Sequence, residues 1–182
     1  MSFFTDPHYF LILALVVLTL GLSFLVYKWP KGPQKTFSQH AATNKSSVLY
    51  YIGLFTAVLP LLAVFFFGWF VNAFDTPFAF SILLIISLVC QYACTFIPEV
   101  GKKALAHQIL AGISAVVLIP ALVLVARSTA IQPTDVTALI IGITVMGGVL
   151  LLATTGRVKH ALILQAVYFI AFFTPLLIIS YT

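Results

Sequence analysis

Six long apolar runs constrain this chain more than any other feature of its sequence. They cover residues 9–27, 47–72, 77–98, 104–126, 134–155 and 160–181. A helix needs about 20 residues to cross a hydrocarbon core of roughly 30 Å, so each run is long enough to span a membrane. The runs are continuously apolar, whereas barrel strands alternate apolar and polar residues. The sequence therefore predicts an all-α polytopic membrane protein, a single domain over residues 1–182 that forms a six-transmembrane-helix bundle.

The composition excludes several other classes of protein. Of the 182 residues, 62% are apolar and 7% are charged, whereas soluble domains are about 45–50% apolar and roughly 25% charged. Too few charged residues are present to cover the surface of a soluble enzyme, and a disordered chain or a disulfide scaffold is excluded as well. The net charge of +5 is explained by membrane topology, so no nucleic-acid partner is expected.

The distribution of basic residues predicts the orientation. Loops rich in Lys and Arg stay in the cytoplasm, and eight of the nine bases fall in the loops 28–46, 99–103 and 156–159. Three of the four acids, Asp6, Asp75 and Asp135, fall on the other side. We therefore expect these three loops to be cytoplasmic and both termini to be outside. The longest loop, 28–46, is predicted to be a polar surface loop, and the first run a retained anchor.

Prolines recur in a pattern that favours three helical hairpins. Each odd-numbered run begins near an acid and a proline, whereas each even-numbered run begins at a base and carries Pro60, Pro120 or Pro175 further on. These three prolines are 60 and 55 residues apart. A proline inside a helix frees a carbonyl group and bends the helix. The pattern favours a pseudo-repeat whose bends shape the outer half of the bundle.

Polar side chains within the apolar runs are candidates for a binding site, because each needs a partner in hydrocarbon. Five of them fall in the cytoplasmic third: His107, His160, Gln91, Gln108 and Gln165. Together they predict a site for a lipid or a small amphiphile, without an assigned catalytic residue or metal. Interfacial histidines and amide hydrogen bonds between helices explain the same residues without any ligand.

Three other groups of residues are candidates for chemistry. His107 and His160 are the one histidine pair predicted at similar depth, so axial haem ligation is an alternative to lipid binding. Cys90 and Cys94 are expected to be structural thiols. Glu99 with His107 and Lys102 would form an acid–base group, but the sequence favours an exposed, solvated turn there. No G-x-S-x-G or H-E-x-x-H motif occurs, which makes an enzyme the less favoured class.

Aromatic and small residues suggest how the helices pack. The run Phe65-Phe66-Phe67 is typical of a lipid-facing surface near the outer interface. Small residues permit close approach of membrane helices, and they are candidates for such contacts at Gly53, Gly142, Gly147 and Gly148.

The turn before the fourth run resembles a known family. The stretch Phe96-Ile97-Pro98, followed by Gly101, His107 and Ala111, resembles the DRAM/Frag superfamily of six-helix membrane proteins, including uncharacterised bacterial members, over residues 37–126. The resemblance implies a compact six-helix bundle, roles tied to membrane lipids or lipid-anchor remodelling, and importance for His107. Two features depart from that family. The stretch 37–42 lacks the expected acid, and the charge distribution places this loop inside rather than outside.

The favoured function is binding of a lipid or small amphiphile, with membrane lipids as partners. A small-solute facilitator or channel is one alternative, favoured if the proline bends line a polar path. The other is an accessory subunit of a membrane complex, which the short loops fit. A homo-oligomer or a larger membrane complex is compatible with each of them.

Overall fold

The computed structural model describes Pro7, residues 9–155 and residues 159–181. These residues form helices and loops without a strand, which confirms the all-α prediction. Within them, six helices are long and apolar enough to span a membrane. Asp6 and Arg157, which entered the charge and proline patterns, lie outside the described residues.

The helices begin and end within two residues of the predicted bounds. They are α1 (Tyr9–Lys28), the short α2 (Phe37–Ala41), α3 (Lys45–Phe65), α4 (Val71–Ala73), α5 (Phe78–Phe96), α6 (Ala104–Ala126), α7 (Pro133–Thr154) and α8 (Ala161–Tyr181). A π-helical turn, Phe66–Phe70, joins α3 to α4, so that the second long helix runs without a break from residue 45 to residue 73. A 3₁₀ turn, Gly101–Lys103, precedes α6.

Local sequence explains where several helices begin. Asn44 caps α3. Its side-chain oxygen accepts a 2.9 Å hydrogen bond from the backbone N–H of Ser47, and its backbone N–H donates a 2.9 Å bond to the Ser47 hydroxyl. Such reciprocal bonds satisfy donors that the first helical turn leaves free. At α7, Pro133 occupies the first turn with Asp135, where a missing N–H costs little and a carboxylate meets the positive end of the helix dipole.

The six long helices pack as three sequential hairpins. The most extensive contacts join α1 to α3, α5 to α6, and α7 to α8, while smaller contacts of α3 with α5 and of α6 with α7 connect the pairs. The chain therefore follows an arc of antiparallel helices in sequence order. Hydrogen bonds between loops place residues 29–44, 97–103 and 159–160 at one end of the bundle. We call it the basic end, because together with the adjoining helix ends at Lys28 and Lys45 it carries seven of the eight described Lys and Arg residues.

One of the four glycines predicted to permit close approach of helices does so. A Cβ atom on Gly142 of α7 would lie 2.6 Å from the Ala171 carbonyl oxygen of α8, so a side chain there forces the two helices apart. The prediction is wrong for Gly53, Gly147 and Gly148, where a Cβ would meet no atom within 4 Å. These three face open space on the outside of the bundle.

An aromatic core fills the end of the bundle opposite the basic end. Phe65, Phe66, Phe70 and Phe80 are each at most 1% exposed. Their rings are in contact, and the ring centroids of Phe65 and Phe66 are 5.0 Å apart. The predicted lipid-facing position is therefore wrong for Phe65 and Phe66. Adjacent phenylalanines share the inner face here as Leu54 and Phe55 do earlier in α3, and Phe66 and Phe70 belong to the π-helical turn.

The three repeated prolines lie inside helices but in different surroundings. Pro60 of α3 and Pro120 of α6 are exposed on the outer surface, whereas Pro175 of α8 is buried beside Gly142. They do not line one common cavity. The arrangement gives Pro175 a packing role between α7 and α8.

Candidate functional site

Residues 29–44, here called the cap loop, fold over the basic end. The prediction of a polar surface loop is wrong for its second half, which forms α2 and buries Ser38, His40 and Ala41 to 6% exposure or less. Thr36 caps α2 through a 3.2 Å bond from the Gln39 amide. The polar side chains of this segment form hydrogen bonds with backbone groups of the segment itself and of its neighbours, so they do not require surrounding water.

His40 organises the first half of the cap loop. Its ring is 1% exposed. The Nδ1 atom lies 3.0 Å from the Trp29 carbonyl oxygen and 3.2 Å from the Lys31 amide, and Nε2 lies 3.2 Å from the Gly32 carbonyl oxygen. The imidazole therefore replaces water for backbone groups of a tight turn in which Gly32 has a φ of 92°.

Glu99 lies in the turn between α5 and α6 and fastens the cap loop to it. Its Oε2 atom accepts hydrogen bonds from the hydroxyls of Thr36 and Ser38, and its Oε1 accepts a 3.2 Å bond from Nε2 of Gln39. The carboxylate side chain is 8% exposed. The prediction of an exposed, solvated turn is therefore wrong for Glu99, because three donors from a distant segment cover it.

His107 lies behind this carboxylate, in the first turn of α6. It is 4% exposed, and its Nδ1–H donates a 2.6 Å bond to the Ile97 carbonyl. Its Nε2 lies 3.8 Å from Oε2 of Glu99. A cavity of about 20 Å³ adjoins the ring and is lined by Ser38 and Tyr51 among others, which is room for about one water molecule. Glu99 and His107 are thus neighbours at a separation longer than a hydrogen bond, while Lys102, the third member of the predicted acid–base group, is exposed.

Gln165 of α8 holds the cap loop from the other side. Its Oε1 accepts a 2.8 Å hydrogen bond from the Phe37 amide, and the Leu162 amide donates a 3.2 Å bond to the Pro33 carbonyl. The cap loop, which connects the first hairpin, is therefore fastened to the second through Glu99 and to the third through these two bonds.

The other predicted site residues lie elsewhere. Gln91 lines an interior cavity of about 60 Å³ together with Ser87 and Ser114, whose hydroxyl oxygens lie 3.0 Å apart. Gln108 and His160 are exposed. The five residues thus occupy separate surroundings, with His107 and Gln165 on two sides of the cap loop.

The histidines of the haem prediction and the two cysteines lie in different surroundings. His107 directs both ring nitrogens at protein oxygens, whereas His160 is exposed just before α8. Axial ligation by this pair stays a prediction. Cys90 and Cys94 are free thiols, and the thiol of the buried Cys94 donates a 3.5 Å bond to the His107 carbonyl, as expected for a packing residue.

An apolar groove of about 620 Å³ lies between α1 and α8, where the two ends of the arc face each other. We call it the α1–α8 groove. Its lining comprises Leu15, Leu18, Thr19, Leu22, Ser23 and Val26 of α1, Phe37 of the cap loop, and Leu162, Ile163, Ala166, Phe169, Ile170, Phe173, Thr174 and Leu177 of α8. The groove shares Leu18, Phe169 and Phe173 with the interior cavity, so these side chains separate the two spaces.

Sequence reasoning did not find this groove. Its residues are ordinary apolar side chains on helices at opposite ends of the chain, and no spacing within either helix distinguishes them from a lipid-facing surface.

No family model matches this sequence, and neither a curated protein nor a solved structure matches it. The resemblance to the DRAM/Frag superfamily stays a prediction.

Proposed function

We propose that this is a multi-pass membrane protein that binds a membrane lipid, with an acyl chain of the lipid in the α1–α8 groove. The six apolar helices support insertion in a bilayer. In this proposal the basic end faces the cytoplasm and the termini lie outside, and the three packed helix pairs are the three units of the hairpin pseudo-repeat.

The shape of the α1–α8 groove carries the proposal. Its volume of about 620 Å³ is typical of sites for small organic ligands. On α8 the lining runs from Leu162 to Leu177, a distance of about 22 Å at 1.5 Å per residue. That length covers most of a hydrocarbon core of roughly 30 Å. Only small hydroxyl groups, as at Ser23, interrupt an otherwise apolar lining, which suits a hydrocarbon chain.

Packing inside the bundle supports binding rather than translocation. The interior cavity measures about 60 Å³ and is separated from the groove by Leu18, Phe169 and Phe173. Beyond it, the aromatic core, including Phe66 and Phe70, fills the opposite end. A polar path lined by the proline bends, which a facilitator needs, is not visible among the described helices.

Native mass spectrometry of protein purified in mild detergent, combined with lipid extraction, tests this function. Ala166→Trp fills the groove, whereas Ile109→Trp adds the same ring to an exposed position of α6. Both positions are five residues from the first residue of their helix, so the two variants match in depth. We expect lipid adducts on the wild type and on Ile109→Trp, and their loss from Ala166→Trp.

The other outcomes are equally informative. Equal lipid retention by the two tryptophan variants would contradict the groove. A wild type without lipid would contradict lipid binding and favour a facilitator, and a co-purifying protein would favour an accessory subunit. Thermal unfolding in the same detergent verifies that both variants are folded.

The double variant His107→Ala/His160→Ala tests the site predicted from the sequence. His160 lies two residues before Leu162 of the lining, whereas His107 is bound to the turn between α5 and α6. Loss of lipid from the double variant but not from His160→Ala alone would place the ligand at the buried pair Glu99 and His107 instead of the groove.

A further inference from the structure

We propose that the lipid in the α1–α8 groove is an anionic glycerophospholipid, whose headgroup is bound by Lys35 and Lys159. This inference rests on the proposed function and specifies its ligand.

Two lysines from different elements lie near the basic end of the groove. Lys159 lies three residues before Leu162, and Lys35 lies two residues before Phe37, both of which line the groove. Lys28 ends α1 on the face opposite the lining residue Val26, since two residues turn a helix by about 200°. Lys35 and Lys159 are exposed. A lysine side chain can rest its apolar stem on such a rim while its ammonium group stays at the polar interface.

Two hydrogen bonds hold Lys35 at this position. The Leu162 amide binds the Pro33 carbonyl, and the Gln165 side chain binds the Phe37 amide. These attachments lie two residues before and two residues after Lys35. The cap loop is thus fastened to α8 on both sides of the lysine, so that the charge keeps its place relative to the groove.

The positive charge at this end is left uncompensated by acids. Of the four acids in the sequence, Glu99 alone belongs to the loops of the basic end, and it accepts hydrogen bonds from Thr36, Ser38 and Gln39. Asp75 and Asp135 lie at the opposite end, at the beginnings of α5 and α7. The remaining acid, Asp6, precedes α1 and lies outside the described residues.

An apolar groove with lysines at one end fits a single class of ligand. An acyl chain fits the apolar groove, and lysine ammonium groups bind phosphate as point charges. A zwitterionic headgroup brings its own cation to the same lysines, which weakens the attraction, whereas an anionic headgroup does not. Charge complementarity therefore selects an anionic phospholipid over a zwitterionic one with the same chains.

Competition between two lipids tests the inference. Delipidated protein in mild detergent is mixed with equal amounts of phosphatidylglycerol and phosphatidylcholine that carry identical chains, and native mass spectrometry gives the ratio of their adducts. We expect the wild type to favour phosphatidylglycerol by about tenfold. Lys35→Gln/Lys159→Gln should reduce that ratio to nearly one without reducing total lipid binding.

A matched control removes the same charge elsewhere on the basic end. Lys102 and Lys103 lie in the 3₁₀ turn before α6, and, unlike Lys35 and Lys159, neither is within three residues of a residue that lines the groove. Lys102→Gln/Lys103→Gln should keep the wild-type ratio. An equal decrease in both double variants, or a wild-type ratio near one with abundant adducts, would overturn the headgroup inference and leave the groove intact. Phosphatidylglycerol adducts that persist in Ala166→Trp, or the absence of any adduct, would instead overturn the proposed function.

Discussion

The backbone N–H of Phe37 donates a 2.8 Å hydrogen bond to the side-chain oxygen of Gln165, 128 residues further along the chain. This bond joins the first hairpin to the last at the basic end. Glu99 adds the middle hairpin, because it accepts bonds from Thr36 and Ser38 of the same cap loop. One polar segment thus connects all three hairpins at the basic end, in addition to the core contact between Phe66 and Phe172, and its Phe37 lines the α1–α8 groove.

Gln165→Leu should loosen the cap loop. The substitution leaves the Phe37 amide without its acceptor, which costs about 1–3 kcal/mol for a buried group. We expect trypsin to cleave at Lys31 and Lys35 at least about fivefold faster, since 1 kcal/mol corresponds to roughly that factor. Gln108→Leu is the matched control, because Gln108 is exposed on α6. Equal cleavage rates in both variants would mean that the bond to Gln165 does not hold the loop.

Glu99→Ala should destabilise the folded protein. It removes the acceptor for the hydroxyls of Thr36 and Ser38 and for the amide of Gln39, and each buried donor left unsatisfied costs about 1–3 kcal/mol before relaxation. We expect the free energy of unfolding in detergent to fall by roughly 2–4 kcal/mol. Glu99→Gln keeps an acceptor oxygen and should lose less. A Glu99→Ala variant as stable as the wild type would restore the exposed turn that the sequence favours.

His40→Ala should affect the same end through the backbone. Without the imidazole, the Lys31 N–H loses its acceptor Nδ1 and the Gly32 carbonyl loses its donor Nε2–H, each 3.2 Å away. The expected loss in the free energy of unfolding is about 1–3 kcal/mol. His160→Ala provides the comparison, because that histidine is exposed and its removal should change stability by less than about 0.5 kcal/mol. Denaturant titration of both variants distinguishes them, and similar losses would contradict the role of His40.

Gly142→Ala and Gly147→Ala should change stability in opposite directions. Alanine is the better helix former by about 1 kcal/mol, and at Gly147 its Cβ meets no atom within 4 Å, so Gly147→Ala should be neutral or stabilising. At Gly142 the Cβ would lie 2.6 Å from the Ala171 carbonyl oxygen. Separating α7 from α8 should cost about 1–3 kcal/mol. Thermal unfolding that shows the same sign for both variants would contradict the close contact.

The number and bounds of the helices were predictable because they depend on local properties. Hydrophobic length identifies a segment that can span a bilayer, and flanking Lys, Asn and Pro residues mark where it begins or ends. The pairing into hairpins was indicated by the recurring prolines and not by loop length, since the longest loop joins α1 to α3. Placement of side chains around a helix was less predictable. Phe65 and Phe66 were expected to face lipid but lie in the core, because a uniformly apolar segment does not show which of its sides faces the neighbouring helices.

The candidate site depended on contacts between distant segments. Glu99 and His107 were recognised as a pair from the sequence. The residues around Glu99 do not show whether water or another loop covers its carboxylate. His40 gave no signal for the same reason. Their burial follows from the cap loop folding over the α5–α6 turn, 60 residues away from Gln39.

By itself, the sequence determined that this chain forms six apolar helices with its bases concentrated at one end. Apolar length and charge are properties of single segments, so no neighbour is needed to establish them. The tertiary structure decided that the cap loop covers Glu99 and that α1 and α8 leave a groove between them. Those features arise where segments more than 60 residues apart meet, and packing together with the pairing of buried polar groups selects such contacts from many that the same sequence pattern would permit.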